Sequence, residues 1–68
     1  MKTITLKVLG MSCEHCVRAV TGALNALEGV QEARVNLPNS TAEVRFDPDR
    51  VSEEDLRQAV LDQGYDVP

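Results

Sequence analysis

Two cysteines and a histidine fall within four residues, Cys13-Glu14-His15-Cys16, and they are the chemically reactive part of this chain. The segment before them has strand character and the segment after them has helical character, which puts both sulfurs at a helix N-terminus. Unpaired backbone N–H groups and the helix dipole place partial positive charge there. That charge favours thiolate over thiol. Two thiolates spaced i, i+3 can converge on one soft cation, and the pair offers little beyond those two ligands. Structural zinc wants a closed tetrahedron of four ligands, and iron–sulfur clusters ask for four cysteines. The whole chain has two cysteines and one histidine. Cu(I) is soft and selects thiolates, and Hg(II) and Ag(I) satisfy the same rule. A two-sulfur site also suits transfer. An incoming thiolate can attack the bound ion through a three-coordinate intermediate, with no full ligand shell to dismantle.

The rival chemistry is thiol–disulfide exchange, because a Cys-x-x-Cys at a strand-to-helix junction is also a redox signature. At 68 residues the chain is shorter than a thioredoxin-type fold normally needs. Its two hairpin-linked strands in mid-chain do not match that fold. No proline precedes a later strand in a position to pack against a disulfide. A mere packing role is disfavoured as well, since Glu14 and His15 mark the segment as exposed and an exposed free thiol without a role is a liability.

Seven Lys and Arg against eleven Asp and Glu give a net charge of −4. Phosphate backbones need clustered cations, so nucleic acid is not expected as a partner. The imbalance is uneven: residues 1–42 carry four basic and three acidic side chains, residues 43–68 three basic and eight acidic. The acidic half is either a solvated face or one that meets a basic partner surface. No apolar run approaches the length of a membrane span. Met1-Lys2-Thr3-Ile4-Thr5-Leu6 lacks the apolar stretch of a secretory signal. A cytoplasmic protein without a membrane partner is therefore expected. The length allows one domain, residues 1–68, of marginal stability.

The elements that must position the cysteines follow from hydrophobic periodicity. Ile4, Leu6 and Val8 alternate with polar residues, predicting a strand that ends at Leu9-Gly10. Val17, Val20, Leu24 and Leu27 recur at helical spacing. Ser12 is the expected N-cap of this helix and Gly29 the glycine that ends it. Gly22 lies inside it, at a cost of roughly 1 kcal/mol relative to Ala, which suggests close approach to another backbone. Ala33, Val35 and Leu37 predict a second strand, and Ala42, Val44 and Phe46 a third. Pro38-Asn39-Ser40 turns between them as a hairpin. Ser52 caps a second helix with Asp55 completing a capping box, Leu56, Ala59 and Val60 form its apolar stripe, and Gly64 closes it. Tyr65-Asp66-Val67 is read as a short last strand. The order βαββαβ with right-handed crossovers gives an α+β, ferredoxin-like sandwich. Its sheet has four antiparallel strands, with two helices on one face.

Gly10-Met11-Ser12-Cys13-Glu14-His15-Cys16 resembles the GMxCxxC signature of heavy-metal-associated domains. The resemblance spans essentially the whole chain. Gly29-Val30, Val35-Asn36-Leu37 and Asp62-Gln63-Gly64-Tyr65-Asp66-Val67 also fit it. It implies a soluble copper chaperone rather than an enzyme, with Cu(I) held by Cys13 and Cys16. The implied recipient is a copper-transporting P-type ATPase, with a copper-responsive repressor as a second one. A module detached from a metal-transporting ATPase, or a mercury-binding protein, is the alternative within the family.

The neighbours of the sulfurs have two readings each. Met11 is a thioether that binds Cu(I) in principle, or apolar packing beneath the loop; the resemblance implies the second. His15 is offset from both cysteines on a helical turn. It is read as an exposed residue that tunes thiol ionisation and metal exchange, against an inert solvated one. Tyr65 is read as a shield with its hydroxyl near the sulfurs, and also as one of two aromatics filling the core. An open site further lets two loops share ions, so the apo chain is expected to be a monomer and the copper-loaded chain a copper-bridged homodimer.

Overall fold

The structure, a computed structural model, describes residues 1–68. Its elements are β1 (Lys2–Lys7), α1 (Glu14–Asn25), β2 (Val30–Asn36), β3 (Thr41–Phe46) and α2 (Glu53–Asp62). The three strands form one antiparallel sheet in the order β1-β3-β2. Period-two patterning decides which side is buried. Ala42, Val44 and Phe46 on the central strand point into the core, and Glu43 and Arg45 point to solvent. Ile4 and Leu6 from β1 and Ala33 and Val35 from β2 flank them on the same side. Val20 and Leu24 of α1 and Leu56 and Val60 of α2 cover that face and are wholly buried. Each such side chain contributes about 1.5–3 kcal/mol by leaving water.

The fourth strand is not formed. Tyr65-Asp66-Val67 meets the rest of the sheet at a single antiparallel bridge, Leu9 with Asp66, beyond the end of β1. The next hydrogen-bonded pair of that ladder would be Lys7 with Pro68, and proline has no N–H to donate. The Val67 carbonyl, which points away from β1, accepts from Arg57 Nε of α2 at 3.3 Å. The sandwich is therefore two helices on a three-stranded sheet, with the last segment docked at its corner.

Helix ends differ in part from their sequence signals. At α2 the capping box is present: Asp55 N donates to Ser52 Oγ at 3.2 Å and Ser52 N donates to Asp55 Oδ2 at 3.1 Å. At α1 the N-cap is Cys13, not Ser12, because the Cys13 carbonyl accepts from Cys16 N at 3.1 Å and Val17 N at 3.3 Å. No side chain caps it. The helix ends at Asn25 with Ala26 as C-cap, well before Gly29. Gly29, at φ +101, belongs instead to the turn into β2, where its carbonyl accepts from Asp47 N at 2.8 Å.

The acidic half of the chain lies on exposed surface around α2. Glu53 pairs with Lys2 at 3.3 Å, Glu54 approaches Arg57 at 3.8 Å, and Asp55 is spent in the capping box. Such exposed pairs contribute little to stability.

Gly22 has open space around it: nothing lies within 4 Å of the position a Cβ would take. The expected close backbone approach is absent, and the glycine only weakens α1. At Gly29 a Cβ would meet Arg50 Cβ at 2.8 Å and Val51 Cγ1 at 3.2 Å. Urea unfolding should separate the two positions. Gly22→Ala should stabilise the fold by about 0.5–1 kcal/mol, and Gly29→Ala should destabilise it by about 1–3 kcal/mol.

Candidate metal centre

The sulfurs sit where the continuation of β1, the start of α1 and the C-terminal segment meet. Val8 is fully buried and anchors the chain leaving β1. Leu9 then makes two backbone bonds with the last segment: Leu9 N donates to Asp66 O at 2.8 Å, and Asp66 N donates to Leu9 O at 3.1 Å. Gly10 follows at φ +102, and a Cβ there would lie 3.4 Å from Tyr65 Cδ1. The left-handed backbone and the nearby ring together ask for glycine at this point. Met11 is half-buried and packs on the core, which turns its thioether inward.

Cys13 and Cys16 are free thiols with their Sγ atoms 3.5 Å apart. Their surroundings are unequal. Cys16 shares a helix stripe with Val20 and Leu24, spaced i+4 and i+8 on α1, so it leans over the core and is half-buried. Cys13 precedes the helix and is exposed. His15 lies between them and is exposed. No group of three or more His, Cys, Asp or Glu side chains gathers where it could hold a metal ion. The donor set is two soft sulfurs, which suits a soft monovalent ion of low coordination number better than zinc.

The Cys16 thiol is lowered to about pH 6 in its ionisation. A backbone hydrogen bond at Ser12 is the largest cause, followed by hydrogen bonds from the Tyr65 side chain and from Cys13. The interaction is reciprocal: the Tyr65 phenol is pushed up, chiefly by its hydrogen bond to Cys16. Because Cys16 gives up its proton more readily folded than unfolded, its thiolate stabilises the fold above the ordinary thiol pKa, and this stabilisation is lost as pH falls through about 6.

The structure thus gathers Ser12, Cys13, Cys16 and Tyr65, sets Met11 beneath the loop and leaves His15 in solvent. Two contributors were missed at the sequence level. Gly10 is read from the sequence as a strand end and as the first residue of the signature, with no part in the site's geometry, although a glycine opening a loop before a helix signals special backbone geometry. The pairing of Leu9 with Asp66 joins residues far apart in sequence and has no local signal.

Residues 5–66 match the heavy-metal-associated domain family, and the chain belongs to that family. The copper chaperone CopZ of Bacillus subtilis is 49% identical over 67 residues, which cover 98% of this chain and 97% of that protein. A solved CopZ metallochaperone superposes with a TM-score of 0.97 at 45% identity, covering 98% of this chain and all of the other. The N-terminal domain of a potential copper-translocating P-type ATPase from Bacillus subtilis, solved in its Cu(I)-loaded state, matches with a TM-score of 0.91 at 34% identity, covering 96% of this chain and 81% of that one. No helix is long and apolar enough to cross a membrane.

Site-resolved alkylation of the reduced apo chain by iodoacetamide, followed by mass spectrometry, checks the ionisation. Cys16 should reach half its maximal rate near pH 6, and Tyr65→Phe should move that midpoint upward. A midpoint in the ordinary thiol range for the unaltered chain would contradict the assigned donors.

Proposed function

We propose that this domain is a cytoplasmic copper chaperone, a carrier and not an enzyme. It takes Cu(I) between the sulfurs of Cys13 and Cys16 and passes it by ligand exchange to a copper-transporting P-type ATPase. The observation that carries this reading is the sulfur pair itself: two thiols 3.5 Å apart at an uncapped helix N-terminus, one of them already ionised near neutral pH. Two thiolates neutralise and hold a soft monovalent ion with one negative charge left over. The positive end of α1 faces that charge.

The likeness to an ATPase domain supports the choice of recipient. Where carrier and receiver share a fold and a thiolate pair, the ion moves between nearly equivalent environments, and no large free-energy step opposes its return or its advance. An attacking thiolate binds the ion as third ligand, one original sulfur departs, and a second exchange completes the move. Ser12 and Tyr65 hold the Cys16 thiolate ionised, so it leaves in the second exchange without needing a proton. Met11 keeps the loop in place from below, and His15 meets the incoming surface. A copper-responsive repressor is a second recipient for the same exchange. The open site also lets two loaded loops bring four thiolates together, giving a copper-bridged homodimer from a monomeric apo chain.

Anaerobic competition against a chelator that binds Cu(I) without thiols should find one tightly held ion per monomer. Cys13→Ser and Cys16→Ser should each abolish that binding, and retention of the original affinity by either variant would sink the assignment. In sedimentation at rising copper-to-protein ratio, a second and heavier boundary should grow from the monomer; a single unchanging monomer boundary would exclude the bridged dimer.

A further inference from the structure

We infer that Arg57 is a positioning residue for the sulfur pair, acting through the C-terminal segment that carries Tyr65. Gly64 turns the chain out of α2 at φ +93 with open space where a Cβ would lie, and its amide donates to Leu61 O at 2.9 Å. Besides the packing of the Tyr65 ring on the core, three contacts hold the segment. Leu9 and Asp66 exchange two backbone hydrogen bonds. The Val67 side chain is buried in the core. Arg57 Nε donates to the Val67 carbonyl at 3.3 Å and ties the far end back to α2. The guanidinium is itself oriented, with Nη1 3.8 Å from Glu54 Oε2 one turn earlier. Glu54 is steadied in turn by Gln58 Nε2 at 3.3 Å. Tyr65 lies between the Gly64 turn and this held pair, with its ring against Gly10. Its place beside Cys16 is therefore set by anchors that flank it in sequence and not by contacts of its own backbone. Loosening the far anchor lets the segment open and takes the ring away from the sulfur.

This deepens the reading of Cys16 as a metal ligand, and the test uses the reduced apo chain so that it stands apart from copper binding. Amide hydrogen exchange on Arg57→Ala should speed the Asp66 amide about fivefold, the effect of losing one modest hydrogen bond. The amides of Val20 and Leu24 in α1 should change far less. Alkylation of Cys16 by iodoacetamide, well above the ordinary thiol pKa where titration no longer contributes, should also accelerate as the shield lifts. In a Tyr65→Ala background, Arg57→Ala should add nothing to that rate, because the residue it positions is gone. Equal acceleration at Asp66, Val20 and Leu24 would mean general destabilisation and overturn the inference. Unchanged Cys16 reactivity, or an undiminished effect in the Tyr65→Ala background, would overturn it too. Failure of the chain to bind Cu(I) would count against the chaperone reading alone.

Discussion

The convergence of separate chain segments on the Cys16 sulfur is the constraint on which the site depends. A half-buried thiolate persists near neutral pH only if donors meet it, and here they come from separate parts of the chain: the backbone at Ser12, the Tyr65 side chain and the neighbouring Cys13. The contrast between the two helices shows how the charge is accommodated. The first turn of α2 is closed off by its own Ser52 and Asp55. The first turn of α1 has no side-chain cap, so its dipole is available to the sulfurs.

Rigidity reaches the site from the core. Val20 and Leu24 lock α1 against the sheet, one and two turns beyond Cys16 on the same stripe. Val8 fixes the chain as it leaves β1, and the Leu9–Asp66 bridge joins that strand's continuation to the last segment. The reactive loop is thus an irregular stretch held between two buried anchors, which is how a marginally stable domain keeps its two thiols in register.

Much of this was legible in the sequence. The three strands, both helices, the Ser52–Asp55 box and the alternation that buries Ala42, Val44 and Phe46 all follow from periodicity and capping chemistry, which are local. The sulfur pair was legible from spacing and residue type. What escaped depended on contacts between distant residues. Tyr65-Asp66-Val67 has the composition of a strand, but the next bonded position of its ladder falls on Pro68, which has no N–H, and only one bridge forms. Ser12 looked like a cap because serine is a good one, yet the chain enters the helix one residue later, where the Cys13 carbonyl takes the first two amides. Gly22 implied a tight crossing that the packing does not contain. Leu27 looked helical from its spacing but lies beyond the end of α1, packing on the core from the turn.

The two sulfurs stand at different depths, Cys13 in solvent and Cys16 leaning over the apolar stripe of α1. The exchange proposed above would therefore have a direction. The outer arm is the one a visitor can reach and displace, and the inner arm keeps its hold until the visitor has secured its own. An ion departing in that sequence would never be without protein ligands.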